Sequence, residues 1–191
     1  MLIDRYAKPE FAPYAMALGQ FALAWNDLLH YMSTLFSIAT LERAPQAGDA
    51  VNYVPTYIWH AIKSDRSQRD MLLAAIQHSK LSVGNRLAED GKWLCDRINS
   101  LEDRRNDILH SPFILVNSRV VPNTFGKNPR AQKLASAENL LEEVKSAGNT
   151  AVGLADFSSR LVTSLLNPRA PWPERPVEEP RGKKTSAKTS R

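Results

Sequence analysis

Arg105 and His110 are separated by four residues, and Asn106 follows the arginine directly, in the run Leu101-Glu102-Asp103-Arg104-Arg105-Asn106-Asp107-Ile108-Leu109-His110-Ser111-Pro112. A guanidinium can hold phosphate oxygens through paired, charge-assisted hydrogen bonds. An imidazole can give and take protons near neutral pH. Together they are the parts needed to cut a phosphodiester. The rest of the chain offers little competing chemistry. His60 and His78 fall on different segments, with no cysteine or carboxylate nearby at metal-ligand spacing, so no metal site is expected. There is no glycine-rich phosphate loop and no nucleophile elbow, and no cofactor is expected. Cys95 is the single cysteine, which excludes an internal disulfide and makes a reduced, cytoplasmic setting the default.

The motif closes what reads as a helix from Arg86 to His110. With Leu94 at zero and about 100° per residue, Leu87, Ile98, Leu101 and Ile108 lie within roughly 40° of it. Arg105 falls at about 20°, inside that apolar stripe, whereas Asn106 and His110 stack at about 120° and 160°. A cation on a core-facing line needs a partner. In a purely structural role that partner would be a carboxylate such as Asp27, with His110 a simple cap at the helix C-terminus. Pro112 ends the helix because it disfavours the α conformation at Ser111.

Other elements must hold this helix. An amphipathic stripe from about Phe11 to Leu41, with Leu18, Phe21, Trp25, Leu28, Met32 and Phe36, predicts a long first helix with Trp25 in the core. Pro45, Gly48, Asp49 and Asn52 mark a loop. A short helix over Thr56–Lys63 follows, with Tyr57, Ile58, Trp59 and Ile62 on its partly buried face, and then a helix capped by Asp65. Ser82-Val83-Gly84 reads as a junction. Phe113–Val121 is the only β-like stretch, either a small hairpin turning at Asn117-Ser118 or an extended loop. Asn123–Pro129 reads as loop, and Ser136 as the cap of a last long helix that stops at Asn167-Pro168. The expected fold is all-α, an up-and-down bundle of four to five helices with a small β-hairpin around 113–121.

The run Arg105-Asn106-Asp107-Ile108-Leu109-His110 resembles the signature of HEPN domains: an arginine, four to six residues, then a histidine, often with asparagine straight after the arginine. The setting is similar too, since HEPN domains are small helical bundles with the motif near the C-terminal end of a long helix. The resemblance covers a bundle from about Ala7 to Asn167, within a domain spanning 1–167. It implies metal-independent cleavage of RNA in a homodimer whose two motifs share one cleft. Arg105 would then bind the scissile phosphate, and His110 would act as general base or acid at the ribose 2′-hydroxyl and the leaving 5′-oxygen. Asn106 would orient His110 or the phosphate. Arg104 is a candidate RNA contact, although an exposed charged turn is the plainer reading. Some growth-arresting toxins and defence effectors would fit this description, with an antitoxin or other protein as a further partner. The alternative within the same fold is a non-catalytic module for dimerisation or for binding nucleic acid or protein.

Bulk charge does not decide between them. The chain carries +5, but the segment 168–191 accounts for +4 of it, leaving the body close to neutral. That tail, rich in Pro, Glu and Lys, is expected to be disordered. No apolar run approaches the ~20 residues of a membrane span, and the first residues, with Asp4, Lys8 and Glu10, do not read as a signal peptide.

Overall fold

The computed structural model describes residues 6–43, 52–81, 86–167 and 169–177. Among these, six α-helices and one two-stranded hairpin form a mostly-α bundle. We number the helices α1 (Ala12–Ala39), α2 (Val54–Ala61), α3 (Asp65–Gln77), α4 (Arg86–Leu109), α5 (Pro129–Ala135) and α6 (Leu140–Leu166). The strands are β1 (Phe113–Val116) and β2 (Arg119–Pro122).

The two longest helices, α1 and α6, pack against each other more extensively than any other pair. Their stripes meet as expected from the sequence: Phe21, Trp25, Leu28, Met32 and Leu35 on α1, and Val144, Ala147, Ala151, Phe157 and Leu161 on α6, are buried. Gly148 of α6 lies against Phe21, with room there for only ordinary contact. Helix α4 adds Leu87, Leu94, Ile98, Leu101 and Ile108 to the same core. Helix α3 packs on both α1 and α4.

Several boundaries differ from the sequence reading, each for a local reason. Helix α2 begins at Val54 with Pro55 in its first turn, where a missing N–H is harmless. It buries Trp59 against Phe36, while Tyr57 and Ile58 face solvent instead of the core. The cap of α3 is Ser64, whose hydroxyl accepts from the Ser67 amide, so Asp65 takes the first helical position. Pro129 starts the short helix α5, capped by the Asn128 side chain, where only loop was expected. Ser136 closes that helix, and α6 is capped by Asn139, which accepts from the Glu142 amide. The junction around Gly84 lies outside the described residues.

The hairpin forms, with Val116 opposite Arg119 and Phe113 opposite Pro122. Asn117 and Ser118 both adopt left-handed backbone conformations (φ 47° and 58°), as a tight two-residue hairpin turn requires. Part of the segment expected to be a disordered tail, Arg169–Val177, lies among the described residues. There Trp172 and Pro173 pack onto the bundle and Arg175 pairs with Asp90 of α4. Residues 178–191 lie outside the described set.

Candidate functional site

The last two turns of α4 are fixed on three sides by long-range contacts. Asp107, buried, forms an ion pair with Lys133 of α5. Arg104 donates from Nε to Glu143 Oε1 of α6 at 2.9 Å, and from a terminal nitrogen to Ser146 Oγ at 3.3 Å. Ile108 is 1% exposed in the core. Beyond Leu109 the chain enters the hairpin, whose base is closed by the Asn123 amide donating to Pro112 O at 2.7 Å. The motif is therefore held as a rigid corner between helix and hairpin.

Arg105 is half-buried, as its place on the apolar stripe predicts. Its guanidinium carbon lies 5.3 Å over the ring of Trp25 on α1, a cation–π geometry. One terminal nitrogen, Nη1, donates to Asn106 Oδ1 at 3.0 Å. Nε is buried without a partner. Asp27, the carboxylate that a structural role would use, is exposed, and among the described residues no carboxylate pairs with Arg105. The two other arginines withdrawn from solvent among the described residues differ in this respect. Arg69 is paired with Glu102 and Arg104 with Glu143. Arg105 thus keeps a full positive charge, held in place by an aromatic face and an amide oxygen, both neutral. Oxygens of an anion could reach it through its terminal nitrogens, since Nε is covered.

His110 sits one residue past the end of α4. Its backbone N–H still donates to Asn106 O at 3.2 Å, which continues the helical pattern, and its side chain is exposed. No hydrogen bond joins the imidazole to the side chain of Arg105 or Asn106. On the helical wheel Arg105 and His110 stand about 140° apart, and no hydrogen bond draws their side chains together within one copy of the chain. Asn106 serves the arginine rather than the histidine. Ser111, 4% exposed, has a buried hydroxyl without a partner directly beside His110. Arg104 is tied to α6 by its two partners instead of forming part of an exposed turn, so its guanidinium braces the site.

Trp25 was legible as core but not as the support of Arg105. Its contact joins two helices far apart in sequence, and a tryptophan on an apolar stripe carries no local sign of what stacks on it. Its own Nε1 is buried without a partner. Among the described residues no group of three His, Cys, Asp or Glu side chains is placed to hold a metal ion, and no helix is long and apolar enough to cross a membrane. No family model, curated protein or solved structure matches this chain.

Proposed function

We propose that the chain is a metal-independent endoribonuclease of the HEPN type, working in the cytoplasm as a homodimer in which two copies of the motif complete one cleft. The observation that carries this reading is the charge of Arg105, which is drawn into the bundle, oriented by Trp25 and Asn106, and paired with no carboxylate among the described residues. Keeping such a cation desolvated has a cost that a structural arginine avoids by pairing. An anionic substrate is the natural counter-charge.

In this reading Arg105 holds a non-bridging oxygen of the scissile phosphate and stabilises the charge that develops on it. A histidine in the cleft accepts the proton of the ribose 2′-hydroxyl as that oxygen attacks phosphorus. The bond to the 5′-oxygen breaks, and that oxygen takes up a proton from the second histidine. The products are a 2′,3′-cyclic phosphate and a free 5′-hydroxyl. Two imidazoles, one as base and one as acid, are what a symmetric dimer supplies. The divergence of Arg105 and His110 within one copy also favours a site completed by a second. An activity of this kind suits a growth-arresting toxin or defence effector restrained by a partner protein.

The test is RNA cleavage in EDTA by the wild-type chain, Arg105→Ala and His110→Ala. Cleavage by the wild type and a loss of about 10²-fold or more in each variant is expected. Equal activity in all three, or none in the wild type, ends the catalytic reading. The exposed and uncoupled imidazole of His110 supports a second reading, a binding module that does not cut. For that module, Arg105→Ala should weaken RNA binding and reduce its salt dependence while no cleavage is seen with any variant.

A further inference from the structure

Residues 171–176 lie along a groove between α4 and α6 at the far end of α4 from the motif. The strap turns back at the end of α6, where the Ala170 amide donates to Asn167 O at 2.9 Å. Ser164 Oγ donates to Pro171 O at 2.8 Å, and Pro176 reaches Gly153 at 3.8 Å from where a Cβ would stand. The helix rises about 16 Å from Gly153 to Ser164. An extended polyproline chain covers about 16 Å from Pro171 to Pro176. The two lengths match, so the strap runs antiparallel to α6 in an extended form.

Side chains, not backbone, read the strap. Asp90, 5% exposed, receives Trp172 Nε1 on one carboxylate oxygen at 2.7 Å and Arg175 Nε on the other at 2.6 Å. The guanidinium of Arg86 lies 5.3 Å over Trp172, and that of Arg175 lies 5.5 Å over Trp93, so cations and rings interleave across the groove. Pro173, between these two anchors, is buried. Without the strap, the carboxylate of Asp90 would lose both of these donors, and the ring of Trp93 would lose Arg175 and keep the guanidinium of Arg97, 5.9 Å away. Short proline-rich segments suit such a groove because they are extended before binding and lose little entropy on it.

We propose that this groove is a recognition site for an extended, proline-rich segment of a partner protein presenting a tryptophan and an arginine three residues apart, and that Pro171–Pro176 occupies it in cis. Asp90 selects for an indole donor and a guanidinium together, and Trp93 selects for a planar cation. The strap then acts as a built-in competitor, which a partner must displace. The proposal is independent of the chemistry at Arg105.

The probe is a peptide with the sequence of residues Ala170–Val177. In ¹⁵N-labelled wild-type protein the Trp172 indole N–H reports the Asp90 bond directly. Millimolar unlabelled peptide should move that signal to its solvent-exposed position, and a peptide lacking the arginine should not. The chain carrying Trp172→Ala and Arg175→Ala, with its own strap weakened, should bind labelled peptide roughly ten-fold more tightly than the wild type, for a peptide Kd of ~0.1 mM and a cis effective concentration of ~1 mM. Asp90→Asn should abolish binding in both settings. An unmoved indole signal together with no peptide binding would overturn the proposal. If the double variant does not fold, the wild-type titration decides alone. A concentration-dependent dimer that releases its straps to added peptide would overturn the foreign partner in favour of a second copy.

Discussion

Replacing Arg105 by methionine should leave the fold nearly as stable as before while removing function, and the structure lets the balance be worked out. Methionine keeps the apolar stem that crosses the stripe. The change loses a cation–π contact with Trp25, about 0.5–2 kcal/mol, and a hydrogen bond to Asn106, about 1 kcal/mol. It also removes a buried, unpartnered Nε donor, which relieves about 1–3 kcal/mol. The central values of these contributions offset to within about 1 kcal/mol. The same substitution at Arg104 breaks bonds to Glu143 and Ser146 and leaves a carboxylate behind, with no orphan to relieve. Allowing for the partial exposure of that pair, it should cost about 1–2 kcal/mol, or about 2–8 °C in melting temperature for a chain of this length. Urea unfolding followed by circular dichroism measures both variants, alongside RNA cleavage or binding. If Arg105→Met proves as destabilising as Arg104→Met or more so, Arg105 is a structural residue and its assignment to an anion fails.

Further outcomes follow from three particular residues. Trp25→Phe keeps an aromatic face beneath Arg105 and should retain most RNA cleavage or binding. Trp25→Leu should lose about ten-fold of it with the bundle still folded by circular dichroism. Burial pushes the Cys95 thiol up to about 12, so alkylating reagents at pH 8 should label it only after unfolding. The same shift means that an unfolded chain releases this proton first, and Cys95 should lower stability as pH rises from about 9 toward 12. Ser118 holds φ at 58° in the hairpin turn, and Ser118→Gly should raise the urea midpoint by an amount equivalent to about 0.5–1 kcal/mol.

What the sequence revealed followed periodicity. The stripes of α1, α4 and α6 were readable because each repeats every three or four residues over many turns, and that repetition also placed Arg105 in the core-facing line. Helix α5 was missed because a seven-residue helix burying only Ala131 and Leu134 has too few turns to show a period, although Asn128-Pro129 was a usable start signal. The contacts of the strap were not legible in composition: its prolines and charges match a disordered tail, and its anchor Asp90 lies 82 residues away from Trp172. The roles of Trp25 and Arg104 were hidden for the same reason, since partners across a bundle leave no trace in local spacing. Asp27 illustrates the converse error, because a carboxylate on the right helix need not face the right way.

The stacking of Arg105 on Trp25 also ties the site to the cooperativity of the whole bundle. The two residues belong to the first and fourth helices, so the guanidinium is oriented only while those helices stay docked. A partly opened chain could keep α4 intact and still lose the anchor, because a free arginine side chain samples many rotamers. Activity or binding should then disappear along the same urea curve as the global fold, with no state that retains function after the core has opened. The site would thus exist only in the fully native molecule, which restricts its action to chains that have completed folding.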